Sequence, residues 1–134
     1  MRLSLASVSR IGAVLSAGVL VGFVATRPSA AADDVTTGKT LYQTKCAGCH
    51  SVDADRIGPR HRDVVGRAVA SVPGYNYSPA LKKLDGVWTP ARLDQWLAGT
   101  QKMAPGSRMY LEMDDGNQRR LIVAYLRSVS KPKQ

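Results

Sequence analysis

The residues Cys46-Ala47-Gly48-Cys49-His50 set two thiols three positions apart, with an imidazole directly after the second. Three positions is about one helical turn, so both thiols can face one edge of a flat cofactor. On a porphyrin each thiol can add to one vinyl group as a thioether, and the adjacent imidazole can then reach the iron. Cys-x-x-Cys-His is the spacing of c-type haem attachment. The cofactor expected is one haem c, bound covalently through Cys46 and Cys49, with His50 as the first axial ligand.

Rival chemistries for this stretch are weak. A thioredoxin-like dithiol needs a strand–helix–strand setting, and no strand pattern appears. A closed zinc site takes four ligands, and Cys46, Cys49, His50 and His61 are all the Cys and His in the chain. A disulfide between Cys46 and Cys49 would close too short a loop to constrain much. His61 stands between Arg60 and Arg62 and reads as a solvent-side histidine, with a second iron ligand as the alternative.

The chain has 134 residues and a formal net charge of +9. The length suits one small domain. The first 32 residues carry Arg2, Arg10 and Arg27 and no acid, which leaves 16 basic and 10 acidic residues in 33–134. Such a balance suggests an acidic partner surface, nucleic acid or an anionic membrane. No Lys/Arg run and little aromatic interleaving accompany it, so nucleic acid is not an expected partner.

Residues 1–32 read as an export signal peptide. Arg2 and Arg10 open it, Ile11 to Thr26 is an uncharged run of 16 residues, and Ala30-Ala31-Ala32 forms a small-x-small site. The run is short for a membrane span, which needs about 20 residues; an uncleaved anchor is the alternative. Cleavage after Ala32 would leave a haem domain of residues 33–134, and either outcome places it outside the cytoplasm, in the periplasm of a bacterium.

The remainder reads as all-α, with four to five short helices joined by long loops. Asp33 to Lys45 is the first helix, its acids at the positive end. Gly38 within it calls for a close-packed neighbour, because a mid-helix glycine costs about 1 kcal/mol. Ser78-Pro79 and Thr89-Pro90 each place a capping residue before a proline, opening short helices over 78–84 and 90–98. Leu93, Trp96 and Leu97 share one face of the second. Residues 99–115 read as loop. Asp114-Asp115 caps a last helix to about Val129, with a stripe of Leu121, Ile122, Tyr125, Leu126 and Val129. Pro59 lacks an N–H, but its carbonyl is free to accept the second ring N–H of His50, which fixes the tautomer and strengthens the ligand. For the opposite side of the iron, Met109 follows a Pro-Gly turn in a loop able to curl over a flat cofactor. Met103 and Met113 stay open as alternatives.

From Gly38 to Leu126 the chain resembles class I cytochrome c of the mitochondrial-like bacterial branch. The resemblance rests on Gly38-Lys39-Thr40-Leu41-Tyr42 before the haem motif, Gly58-Pro59, Gly66-Arg67, Pro73-Gly74-Tyr75-Asn76-Tyr77 and Trp88. It continues through Pro105-Gly106-Ser107-Arg108-Met109 and Ile122-Val123-Ala124-Tyr125-Leu126. It implies His50 and Met109 as axial ligands and Pro59 as the partner of His50. It also implies Arg67, Tyr77 and Trp88 beside the haem propionates, Ser107 at a family threonine position, and Gly38 and Tyr42 packed on Ile122 and Tyr125. Three features depart from the pattern. Trp96 stands where the family has a tyrosine reaching the Met sulfur, Leu81 replaces an internal asparagine, and the loop from His50 to Gly58 is short.

The implied activity is one-electron transfer by a monomeric carrier, not an enzyme. Its partners would be an oxidase, a reductase complex or a dehydrogenase, met at a haem edge ringed by Lys39, Lys45, Lys102 and Arg108. Two other readings follow from the same residues: an electron-accepting cytochrome subunit of a periplasmic dehydrogenase, and a haem enzyme or gas sensor with a labile Met ligand.

Overall fold

The computed structural model describes residues 29–131. Five helices follow in order: α1 Ala30–Lys45, α2 Pro79–Lys82, α3 Pro90–Ala98, α4 Thr100–Met103 and α5 Gly116–Ser128. The only extended pairing among the described residues is a single bridge between Ala68 and Val87. The export segment assigned to residues 1–32 lies outside the described residues except for its last four. No described helix is long and apolar enough to cross a membrane.

Helix ends follow from local chemistry. Ser78 Oγ accepts from Leu81 N at 3.3 Å, and Thr89 Oγ1 from Arg92 N at 3.1 Å. Asp115 Oδ1 accepts from both Asn117 N and Gln118 N. Each cap meets N–H groups that the first turn leaves unpaired, a contribution of about 1 kcal/mol. Two boundaries differ from the sequence reading. First, α1 begins at Ala30 rather than Asp33, because three alanines, the best helix formers, extend it backwards. Second, the 99–115 segment holds the one-turn helix α4. Four residues carry no readable periodicity, and the turn is held by Thr100 rather than by an apolar stripe.

Packing is built on the crossing of α1 and α5. Gly38 permits it: a Cβ there would lie 2.0 Å from the Leu121 carbonyl oxygen. One turn on, the rings of Tyr42 and Tyr125 pack with centroids 5.1 Å apart. Helix α3 turns Leu93, Trp96 and Leu97 onto the same core as Ile122 and Leu126. Arg119 of α5 donates Nε to Asp94 of α3 at 2.9 Å across that contact. The long chain between α1 and α2 is folded back on itself and onto the segment before α3 by backbone bonds, among them Gly58 N to Cys49 O and Trp88 N to Arg67 O, both 2.8 Å. The core elements therefore stand as walls around a central space.

Candidate functional site

That space is a cavity of about 340 Å³. All nine residues singled out for the site line it: Cys46, Cys49, His50, Pro59, Arg67, Tyr77, Trp88, Ser107 and Met109. They come from the end of α1, the loops on either side of α2, and the loop after α4. Trp96 and Leu81, the two departures, also line it, with the Trp96 ring 5.6 Å from that of Trp88. Of the methionines in the described residues, Met109 alone faces this cavity, whereas Met113 is buried in the helical core.

His50 is buried, and its Nδ1 lies 2.9 Å from the Pro59 carbonyl. A carbonyl only accepts, so Nδ1 carries the proton and Nε2 keeps a lone pair for a metal. Burial lowers the His50 pKa, and the bond to Pro59 opposes this only in part; the ring is therefore held neutral, as a ligand must be. Gly58 lets the chain pass over this ring. A Cβ at Gly58 would stand 2.2 Å from His50 Cε1.

Tyr77 is buried and its hydroxyl accepts from Val72 N at 3.2 Å. Arg67 donates to the carbonyls of Arg62 and Arg60, each at 2.9 Å, while its buried Nε has no partner among the described residues. Burial lowers the Arg67 pKa. A buried, unspent guanidinium N–H on a cavity wall suits a carboxylate. A haem brings two propionates, and the thiols of Cys46 and Cys49 stand on the same cavity. The residues thus fit the group that the motif implies.

Two features were not legible in sequence. His61 is not a solvent-side histidine: its ring stacks on His50, with centroids 4.2 Å apart and an interplanar angle of 20°. Burial, then the neighbouring His50 and Arg67, push its pKa well below the usual value. Flanking arginines suggested solvent, but the arginines point outward while the chain turns the imidazole in. The other feature is a grip on the Met109 loop. Thr100 Oγ1 donates to the Met109 carbonyl at 2.6 Å, and Gln101 Nε2 approaches the same oxygen at 2.9 Å. Polar residues in a one-turn helix carry no periodic signal, so nothing in the sequence marks this pair.

The family model described as cytochrome c matches residues 35–130. The chain belongs to the cytochrome c family. It therefore binds haem c covalently, through Cys46 and Cys49, and its class is that of electron carriers rather than enzymes. The helical fold and the class I resemblance agree with the relatives. Cytochrome c2 of Rhodopila globiformis is 39% identical over 104 residues, covering 75% of this chain and 98% of that protein. The protein named cytochrome c-type cyt cy, from Rhodobacter capsulatus, is 32% identical over 111 residues; the match covers 81% of this chain but 56% of that protein. The solved structure of cytochrome cH from Methylobacterium extorquens superposes with a TM-score of 0.67 at 34% identity, over 71% of this chain and 98% of that one.

Proposed function

We propose that this cytochrome is an exported, diffusing one-electron carrier whose iron is held between His50 and Met109. The observation that carries the ligand assignment is the placement of His50 and Met109 on one cavity, with Met109 the sole methionine there among the described residues. The haem supplies the electron-accepting iron. The chain's own residues do the rest. The Pro59 carbonyl orients His50, and Cys46 and Cys49 make the cofactor permanent. Arg67 and Tyr77 offer donors to its carboxylates, and Trp88, Leu93, Trp96 and Leu97 exclude water. A thioether ligand and a dry surround both favour the ferrous state and raise the potential.

The test is the far-red absorption of the oxidised protein, where sulfur-to-iron charge transfer gives a weak band. Wild type is expected to show it and Met109→Ala to lack it. A wild type without the band would mean that the sulfur is not bound.

Processing after Ala32 belongs to the same proposal, and it would remove the first three residues of α1. The partner is proposed to be an acidic protein met at the cavity mouth, where Lys45 and Arg108 stand. Lys39 has no ion-pair partner among the described residues, whereas Lys102 is paired with Glu112. The expected rate of reduction by an acidic redox protein falls about tenfold between low and physiological salt. Stopped-flow rates that ignore ionic strength would remove the steering argument.

A further inference from the structure

We propose that His61 is a positioning residue for the iron ligand His50, and that the buried Tyr42 hydroxyl holds His61 in that role. This rests on His50 being a ligand, as proposed above. The geometry is a relay of three side chains. Tyr42 sits in α1 at its crossing with α5, only 3% exposed. Its hydroxyl is hydrogen-bonded to His61 Nδ1 at 3.1 Å. The Tyr42 ring also meets the His61 ring edge-on, at 5.6 Å and 69°. His61 then lies nearly parallel to His50 at 4.2 Å. Its backbone is tied as well, with His61 N donating to Ser51 O at 2.9 Å.

A buried hydroxyl, and an imidazole half-buried beside it, are each costly unless bonded. Tyr42 and His61 satisfy one another, so neither is at home there alone. An aliphatic residue at 61 would fill the space but would set no angle. A stacked ring, fixed at its Nδ1, sets the plane of His50 from one face while the Pro59 carbonyl sets it from the edge. The same polar ring lies close to the metal ligand. Compared with an apolar side chain, it favours the more highly charged ferric state. The pair therefore governs both the orientation of the ligand plane and the redox poise.

The test uses purified haem-loaded protein. Electron paramagnetic resonance of the ferric state reads the ligand plane through the spread of g-values, and a reference redox dye reads the ferric/ferrous ratio. Tyr42→Phe keeps the ring packing and is expected to alter the g-spread. His61→Leu is expected to alter the g-spread and to shift the ratio toward ferrous by roughly twofold to tenfold, the size of one net polar interaction. His61→Phe restores the stack but not the bond to Tyr42, so its g-spread should resemble that of Tyr42→Phe while the redox shift of His61→Leu is kept. Wild-type g-values and ratios in both Tyr42→Phe and His61→Leu, with only a lower melting temperature, would overturn the proposal and leave a packing role. A wild-type protein with no low-spin ferric signal would instead overturn the ligation on which it rests.

Discussion

Gly38→Ala is expected to destabilise the haem-loaded protein by about 3 kcal/mol, at the upper end for overpacking a core. Two effects oppose each other at this position. Alanine is the better helix former by about 1 kcal/mol. Against it, the new Cβ would lie 2.0 Å from the Leu121 oxygen, 2.8 Å from the Leu121 carbonyl carbon and 3.1 Å from Tyr125 Cβ. Two of those atoms are backbone, so no rotamer change relieves the contact; α1 and α5 must separate. Separation uncovers Tyr42 and Ile122, which are 3% and 0% exposed. The collision therefore outweighs the propensity. Gly48→Ala is the control, since a Cβ there meets nothing within 4 Å, and it is expected to be near neutral. Denaturant unfolding of the three proteins checks both. A Gly38→Ala variant as stable as wild type would show that the crossing is looser than described.

Gln101→Ala is expected to speed the binding of cyanide or imidazole to the ferric protein by about tenfold to a hundredfold, the usual effect of removing an outer-shell partner. Gln101 Nε2 approaches Ser107 O, Ser107 Oγ and Met109 O at 3.0, 2.9 and 2.9 Å. Its Oε1 accepts from Gly106 N at 3.0 Å. One side chain thus ties both the Pro-Gly turn and Met109 itself. Thr100 adds a second tie, donating to Met109 O at 2.6 Å and accepting from Leu111 N at 3.0 Å. Loss of Gln101 frees the loop that must move aside for an external ligand to enter. Thr100→Val should act in the same direction. Because both residues grip the Met109 carbonyl, the double variant should fall short of the product of the singles. Stopped-flow mixing measures the rates, with the far-red band as the check that Met109 is bound at the start. An intact band and unchanged rates in Gln101→Ala would sink the idea of a grip.

Residues 46–50 were enough to name the cofactor, because the spacing of two thiols and an imidazole is itself the chemistry. The helix starts at Pro79, Pro90 and Gly116 were legible for a similar reason: Ser78, Thr89 and Asp115 act on N–H groups two or three residues away. Gly38 could be read as a close-approach residue, since a glycine inside a helix needs a reason. Three of the five stripe residues expected in α5, Leu121, Ile122 and Leu126, are buried; Val123 is buried and was not expected, Tyr125 is half-buried, and Val129 lies beyond the helix.

Sequence alone, then, determined the haem, the helical class and most helix boundaries, all of which depend on interactions within a few residues. Tertiary structure bore on three things. Local reading left Met103 and Met113 open and the family resemblance pointed to Met109; the structure puts Met109, and neither of the others, on the haem cavity. It turned His61 inward onto His50, 11 positions away in the chain. It also brought Thr100 and Gln101 against the carbonyl of Met109. The physical reason is common to all three. Each side chain lies in a segment without apolar periodicity, where it can face water or protein equally well by local chemistry, and only the path of the whole chain settles which.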